Sequence, residues 1–483
     1  MKVHIVNRAA TLTAQPGENL LKLLQRHGLV NDAPCGGKGT CGKCRVTVDG
    51  KPALACKTTV GQDMEVILPE TARTQILAKG LTVQVQPDGT DPYTLAFDVG
   101  TTTVVAYLLD GGTGKLLAQS SCINPQTRFG ADVISRIQYA MNEDSEAVSS
   151  VLKQALADLT QKAARAANIS PGRITTVSLV GNTAMHHLLL GIDPKPLTIP
   201  PYMPKVSEAL EIPADFLPVS PKAVLRVLPN IAGFVGADTV GCLVATRFDQ
   251  LEELTLMIDI GTNGEMVLGN RDGFLACSTA AGPAFEGAKI ACGMRGAMGA
   301  VDHVWMEDGQ VCWNVIGGGE AKGLCGSGLL DLVAVLLESE VIDESGRMEE
   351  KIYHLGDTQV FLTQKDVREV QLAKAAIRAG IELMCQKRGT KPADIQKVYL
   401  AGAFGNYMDP VAACAIGLIP PVLQERIEPI GNAAGEGAKL CALSAGEFAY
   451  SKLFAEKAKF LELASMPEFN DCYVDCLLFE EDE

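Results

Sequence analysis

Four cysteines near the amino terminus have a type and spacing that could do chemistry: Cys35, Cys41, Cys44 and Cys56. The first three fall in Cys35-Gly36-Gly37-Lys38-Gly39-Thr40-Cys41-Gly42-Lys43-Cys44. Thiolates suit soft metals and iron–sulfur clusters, and glycines in such a loop let backbone N–H groups approach cluster sulfides with no Cβ in the way. Structural zinc usually shows two knuckles of the C-x2-4-C kind, and here only Cys41 and Cys44 make one. The spacing therefore predicts an iron–sulfur ligand set rather than zinc or free thiols. Gly37, Gly39 and Gly42 also spell G-x-G-x-x-G, a fingerprint that needs a preceding strand and a following helix. Cys41 interrupts it and the extended-looking Cys44-Arg45-Val46-Thr47-Val48 follows, so a dinucleotide site is rejected.

A second chemistry begins at Leu95-Ala96-Phe97-Asp98-Val99-Gly100-Thr101-Thr102-Thr103 and returns 161 residues later at Leu256-Met257-Ile258-Asp259-Ile260-Gly261-Thr262-Asn263-Gly264-Glu265. Each copy reads as strand, tight polar turn, strand, and such self-similarity signals an internal duplication. Each is followed by helical material and a buried strand ending at glycine: Val177 to Thr183 in the first half, Val398 to Gly405 in the second. Two Asp-hydrophobic-Gly-Thr turns facing one another would clamp the phosphates of a nucleotide. Backbone N–H groups and Thr hydroxyls donate to phosphate oxygens, while an Asp at the strand end holds magnesium or its water shell. No Walker lysine loop is present, since Gly114-Lys115 is followed by Leu116.

The elements that must position these residues are legible in outline. Residues 2–6 and Thr11-Leu12-Thr13 read as a hairpin, Asn19 to Leu24 as a short helix, and Met64 to Leu68 as a closing strand. That gives a cluster domain at 1–70, a turn-rich linker at 71–92, and the two halves of the nucleotide body at 93–255 and 256–483. Amphipathic stretches 145–167, 363–388 and 445–464 are expected as covering helices. His186-His187 is expected to be structural, and Cys472 and Cys476, one helical turn apart, to be solitary thiols. Ser278 to Gly287 and Ala291 to Gly296 form a Gly/Ala-rich region that is either a switch surface or close-packed backbone.

Composition bounds the partners. The net charge of −15 argues against nucleic acid, and the 47% hydrophobic content contains no run long enough to span a membrane. Fifteen cysteines, scattered through apolar segments, point to a reducing, cytoplasmic setting. Through Glu70 nine basic residues face six acidic ones, so the remainder carries −18, and a mildly basic cluster domain could dock on an acidic body or partner.

The cysteine spacing resembles the plant-type pattern of 2Fe–2S ferredoxins, with one extra loop residue, and the order strand, strand, helix, cluster loop resembles a β-grasp ferredoxin. The duplicated part resembles the actin, sugar-kinase and heat-shock ATPase (ASKHA) superfamily. The implied fold is an α+β β-grasp ferredoxin domain followed by a duplicated α/β actin-like body. By that resemblance Asp98 to Thr103 form the first phosphate loop and Asp259 to Glu265 the second, Gly326-Ser327 opens a connecting helix, and Gly402-Ala403-Phe404 flank the adenine. Asp238 sits where the first connecting helix should begin and is a candidate for orienting the attacking water, with an N-cap or solvated carboxylate as an equal reading.

The whole combination resembles the reductive activators of corrinoid-dependent methyltransferases. The resemblance implies an ATP-hydrolysing metalloprotein reductase that returns an inactive Co(II) corrinoid protein to Co(I) by single-electron reduction. Its cofactors would be a 2Fe–2S cluster, ATP and Mg2+, and its partners a corrinoid protein, an unidentified low-potential electron donor and, as a homodimer, a second copy. Cys35 and Cys41 would ligate one iron, Cys44 and Cys56 the other. Two alternatives stay open: an electron carrier or redox sensor with a nucleotide-switched body, and an activator of a radical dehydratase.

Overall fold

The computed structural model describes residues 1–8, 10–27, 29, 37, 39, 44–68 and 85–479. Cys35 and Cys41 lie outside the described residues.

Among the described residues the N-terminal unit has a five-stranded sheet with an α-helix packed on it. Strand Lys2–Ile5 pairs antiparallel with Ala10–Thr13 and parallel with Met64–Ile67, which leads on to Arg45–Val48 and then Lys51–Leu54. Period-two alternation buries Val3 and Ile5 from one strand and Met64 and Val66 from another. Helix Leu20–Arg26 starts at Asn19, whose side chain accepts from the N–H groups of Leu21 and Lys22, and it buries Leu20, Leu21, Leu23 and Leu24 on the sheet.

The body carries its duplication openly. The first sheet runs Leu116–Ile123, Thr103–Asp110, Tyr93–Val99, Ile174–Gly181, Val224–Val227, Leu210–Pro213. The second runs Ile427–Gly431, Lys397–Ala401, Thr255–Ile260, Gly264–Asn270, Gly273–Thr279, Ala458–Leu461. Five strands of each match one for one, as a three-stranded antiparallel meander followed by two parallel strands, and each half adds one strand at opposite edges. Parallel strands need covering crossovers, which helix Ser145–Ala166 supplies in the first half and Gln364–Arg388 in the second. The former buries Val148, Leu152, Leu156, Leu159 and Ala163 along one stripe. The latter starts in a Thr363/Asp366 capping box and stops at Gly389.

Two helices cross between the sheets, Ala237–Thr246 and Ala433–Leu443. A Cβ on Gly437 would lie 2.1 Å from the Gly241 carbonyl oxygen, so the helices meet backbone to backbone. This crossing carries Asp238 and Asn432 to the same end of the molecule.

Two expectations need correction. The stretch 445–464 is not one helix: the helix ends at Lys457, and Ala458–Leu461 becomes an edge strand parallel to Phe274–Cys277. The free sheet edge overrides helical spacing there. Asp238 is neither an N-cap nor a plainly solvated carboxylate; Gly236 is the cap, and Asp238 lies inside the helix on a cleft wall. Cys472 and Cys476 are free thiols, as expected, with Cys472 Sγ 3.9 Å from the Ala379 carbonyl. Residues 85–92 lie against the body, with Asp91 accepting from the Thr175 and Thr176 hydroxyls and Asp88 from Ser444 Oγ and the Ala445 N–H. Among the described residues no helix is long and apolar enough to cross a membrane.

Candidate functional site

The two Asp-hydrophobic-Gly-Thr turns face each other across a cleft of about 450 Å³. Each turn is closed by its own backbone. The Gly100 N–H donates to the Thr103 carbonyl at 2.9 Å, and the Gly261 N–H to the Asn263 carbonyl at 2.9 Å. Asn124 and Asn182 brace the first turn from outside: Asn124 Nδ2 donates to the Gly100 carbonyl at 2.8 Å and Asn182 Nδ2 to Thr101 Oγ1 at 2.9 Å. Of the expected residues, Asp98, Gly100, Thr101, Thr102, Thr103, Asp238, Asp259, Gly261, Thr262, Asn263, Gly326, Ser327, Gly402, Ala403 and Phe404 line this cleft. Gly264 sits one step behind as the first residue of its strand.

Four carboxylic acids that feel one another's charge line it, Asp98, Asp238, Asp259 and Glu265, and Glu286 and Asp302 are also on its lining. Asp259 and Glu265 are direct cross-strand partners, an arrangement of like charges that destabilises a sheet unless something neutralises it. Each acid is half-buried because one side opens to the cleft, while protein crowds the others. That crowding raises Asp98 and Asp259 to about 6, opposed at Asp98 by the bond from Asn432 and reinforced at Asp259 by the charge of Asp98. Burial, then the charge of Asp259, raises Asp238 to about 7, and burial holds Glu265 well above the usual carboxylate range.

Among the described residues no three acidic, His or Cys side chains stand close enough to ligate one ion directly. A floor of separated carboxylates instead suits a magnesium ion that keeps most of its water and meets the protein through one or two oxygens. The walls supply the opposite character. Threonines of the two turns and Arg295 line the same space. Anion donors above carboxylates make a site for a phosphate chain carried in with a divalent cation.

Gly402 follows strand Lys397–Ala401 at φ +79, and a Cβ there would lie 2.4 Å from Asp259 Oδ1, so only glycine fits. It opens a short helix, Gly402–Tyr407, whose Phe404 ring stacks on Phe285 with centroids 4.7 Å apart at 15°. Phe285, Phe404, Ile316 and Met294 give this end of the cleft apolar walls suited to a planar base. His303, which also lines the cleft, is held through Nδ1 by Asp331.

Sequence reasoning missed the residues that join the halves. Asn432 Nδ2 donates to Asp98 Oδ2 at 2.7 Å and to Tyr107 Oη at 3.1 Å, while its Oδ1 caps helix Ala433–Leu443. Glu286 accepts from both turns. These contacts span up to 334 residues of chain, and nothing local marks them. His186 and His187 are structural as expected: Asn230 Nδ2 donates to His186 Nδ1, and His187 lies between the Thr183 carbonyl and the Lys205 N–H.

In the N-terminal unit Cys44 and Cys56 are both buried. The Ala55 N–H donates to the Cys44 carbonyl at 2.9 Å, which brings the two cysteine segments side by side. Asn19 Nδ2 donates to the Cys56 carbonyl, and a Cβ on Gly37 would lie 3.9 Å from Cys56 Cβ, so Gly37 lies against Cys56. A thiolate donor set at this place fits an iron–sulfur cluster.

A family model described as the RACo middle region matches residues 93–251, and one described as the C-terminal ASKHA domain of RACo matches residues 253–483. The chain is similar to the corrinoid activation enzyme RamQ of Eubacterium limosum, 38% identical over 418 residues, covering 80% of this chain and 70% of that one. It is similar to the Co(II) methylated amine-specific corrinoid protein reductase of Methanosarcina barkeri, 30% identical over 274 residues and covering 51% of this chain and 50% of that one. A solved reductive activator for corrinoid, iron–sulfur protein superposes with a TM-score of 0.75 at 28% identity, covering 99% of this chain and 98% of that one.

Proposed function

The chain belongs to the RACo family of corrinoid-protein activators, and from that premise we propose that its cleft binds Mg2+ and ATP to drive a one-electron reduction carried out through the cysteine domain. It is an enzyme of reductive corrinoid activation, returning a partner's cobalt from Co(II) to Co(I). The observation that carries the reading is the meeting of the two Gly-Thr turns over four acids in one cleft.

In this reading Thr101 to Thr103 and Thr262 to Asn263 bind the phosphates, Asp98 and Asp259 hold the magnesium water shell, and Asp238 orients the attacking water. Gly402, Ala403 and Phe404 flank the base, with Gly326 and Ser327 at the start of the connecting helix. Residues 1–70 form a β-grasp ferredoxin domain, supported by the sheet order and the Cys44/Cys56 pair. Cys35, Cys41, Cys44 and Cys56 would hold a 2Fe–2S cluster, whose chemistry when bound is to pass single electrons. A plant-type cluster works near about −400 mV, and each further 59 mV uphill costs about 1.4 kcal/mol. Closure of the two halves on ATP is the means by which this chain would supply that energy, by admitting the partner in one geometry. A corrinoid protein of a methyltransferase system is the partner, with a low-potential donor upstream.

The test is single-turnover mixing of the reduced, full-length protein with a Co(II) corrinoid protein, with and without ATP, following Co(I) absorbance. ATP-dependent Co(I) is expected; equal reduction without ATP would favour a plain electron carrier.

A further inference from the structure

Glu286 lies in the Gly/Ala-rich region after the second half's meander and lines the cleft. Thr102 Oγ1 donates to its Oε2 at 3.1 Å, and Thr262 Oγ1 donates to its Oε1 at 2.7 Å. Thr102 belongs to the first Gly-Thr turn and Thr262 to the second. One carboxylate thus ties the two loops together across the cleft, using one oxygen for each. A hydroxyl has a single proton to donate, so neither threonine can serve Glu286 and a phosphate oxygen together. A carboxylate beside a phosphate chain also adds like-charge repulsion in a site with little water.

We propose that Glu286 is a competing latch between the two loops: its carboxylate occupies the seat of the phosphate chain, only a nucleotide whose phosphates reach both loops displaces it completely, and that nucleotide gives up the most affinity in doing so. This rests on the ATP reading above. A diphosphate that reaches one loop leaves the other hydroxyl with Glu286, and a nucleoside without phosphates leaves both. The two halves are therefore released from this tie by triphosphate in particular. The displaced carboxylate has a cationic neighbour, since the buried Arg136 guanidinium feels its charge.

The test is calorimetric titration of the full-length protein and of Glu286→Ala and the near-isosteric Glu286→Gln with Mg2+ plus AMPPNP, ADP or adenosine. Loss of a competing charge-assisted bond should tighten AMPPNP about tenfold in Glu286→Ala. ADP should tighten less, and adenosine should stay within about twofold. AMPPNP binding that is unchanged or weaker in variants with wild-type melting temperatures would overturn the proposal, as would equal tightening of adenosine. A wild-type protein that does not bind AMPPNP would instead overturn the nucleotide reading itself.

Discussion

Asp98, Asp238 and Asp259 hold their protons to an unusually high pH, about 6 to 7, because burial penalises their charged forms. Their folded pKa values lie above the ordinary aspartate value of 3.8, so the folded protein binds protons that the unfolded chain has released. Metal-free protein should accordingly lose stability as pH rises from about 4 to about 7, by on the order of 1–2 kcal/mol per acid once water in the cleft is allowed for. Urea midpoints of chelator-treated protein across that range check this, and Asp259→Asn should flatten the decline. Asn432 is the second residue to test. It caps a helix, worth about 1 kcal/mol, and donates to Asp98, worth about 1.5–3 kcal/mol for a charged acceptor. Asn432→Ala should cost roughly 2 kcal/mol by denaturant melting and weaken ATP binding. The Asp98 and Asp259 turns were readable in the sequence because the same polar turn recurs between apolar strands. Asn432 and Glu286 were not, since a lone Asn or Glu gains its role only from partners elsewhere in the chain.

At the scale of elements, the site depends on two places where no side chain fits. Gly402 brings the end of a strand against Asp259, and its φ of +79 disfavours any other residue. Gly402→Ala should cost about 1–2 kcal/mol of strain and push Asp259 aside, which a weaker Mg2+-dependent affinity for ATP would reveal. Gly437→Val at the helix crossing meets the Gly241 backbone, so an overpacking cost of about 1–3 kcal/mol is expected in thermal melts. Helices 145–167 and 363–388 were legible because their apolar spacing is carried by their own residues. Ala458–Leu461 was not, because its strand geometry is set by pairing with Phe274–Cys277, which helical periodicity cannot reveal.

In the molecule as a whole, the duplicated sheets were anticipated from the repeated motif, whereas the docking of 85–92 on the body was hidden among turn residues that also make linkers. Asp88 accepts from Ser444 and Ala445, so the segment that arrives from the cysteine domain is fastened to the body. Asp88→Ala should leave ATP binding near wild type and lower ATP-stimulated Co(I) formation several-fold, on the order of one or two lost hydrogen bonds. Helix Ala433–Leu443 has Asn432 against Asp98 at one end and Ser444 against Asp88 at the other. Eleven residues make a rod about 16 Å long. Whatever nudges the cleft end of that rod is felt at the segment arriving from the cysteine domain within one stiff member, with no loop between to absorb the stroke.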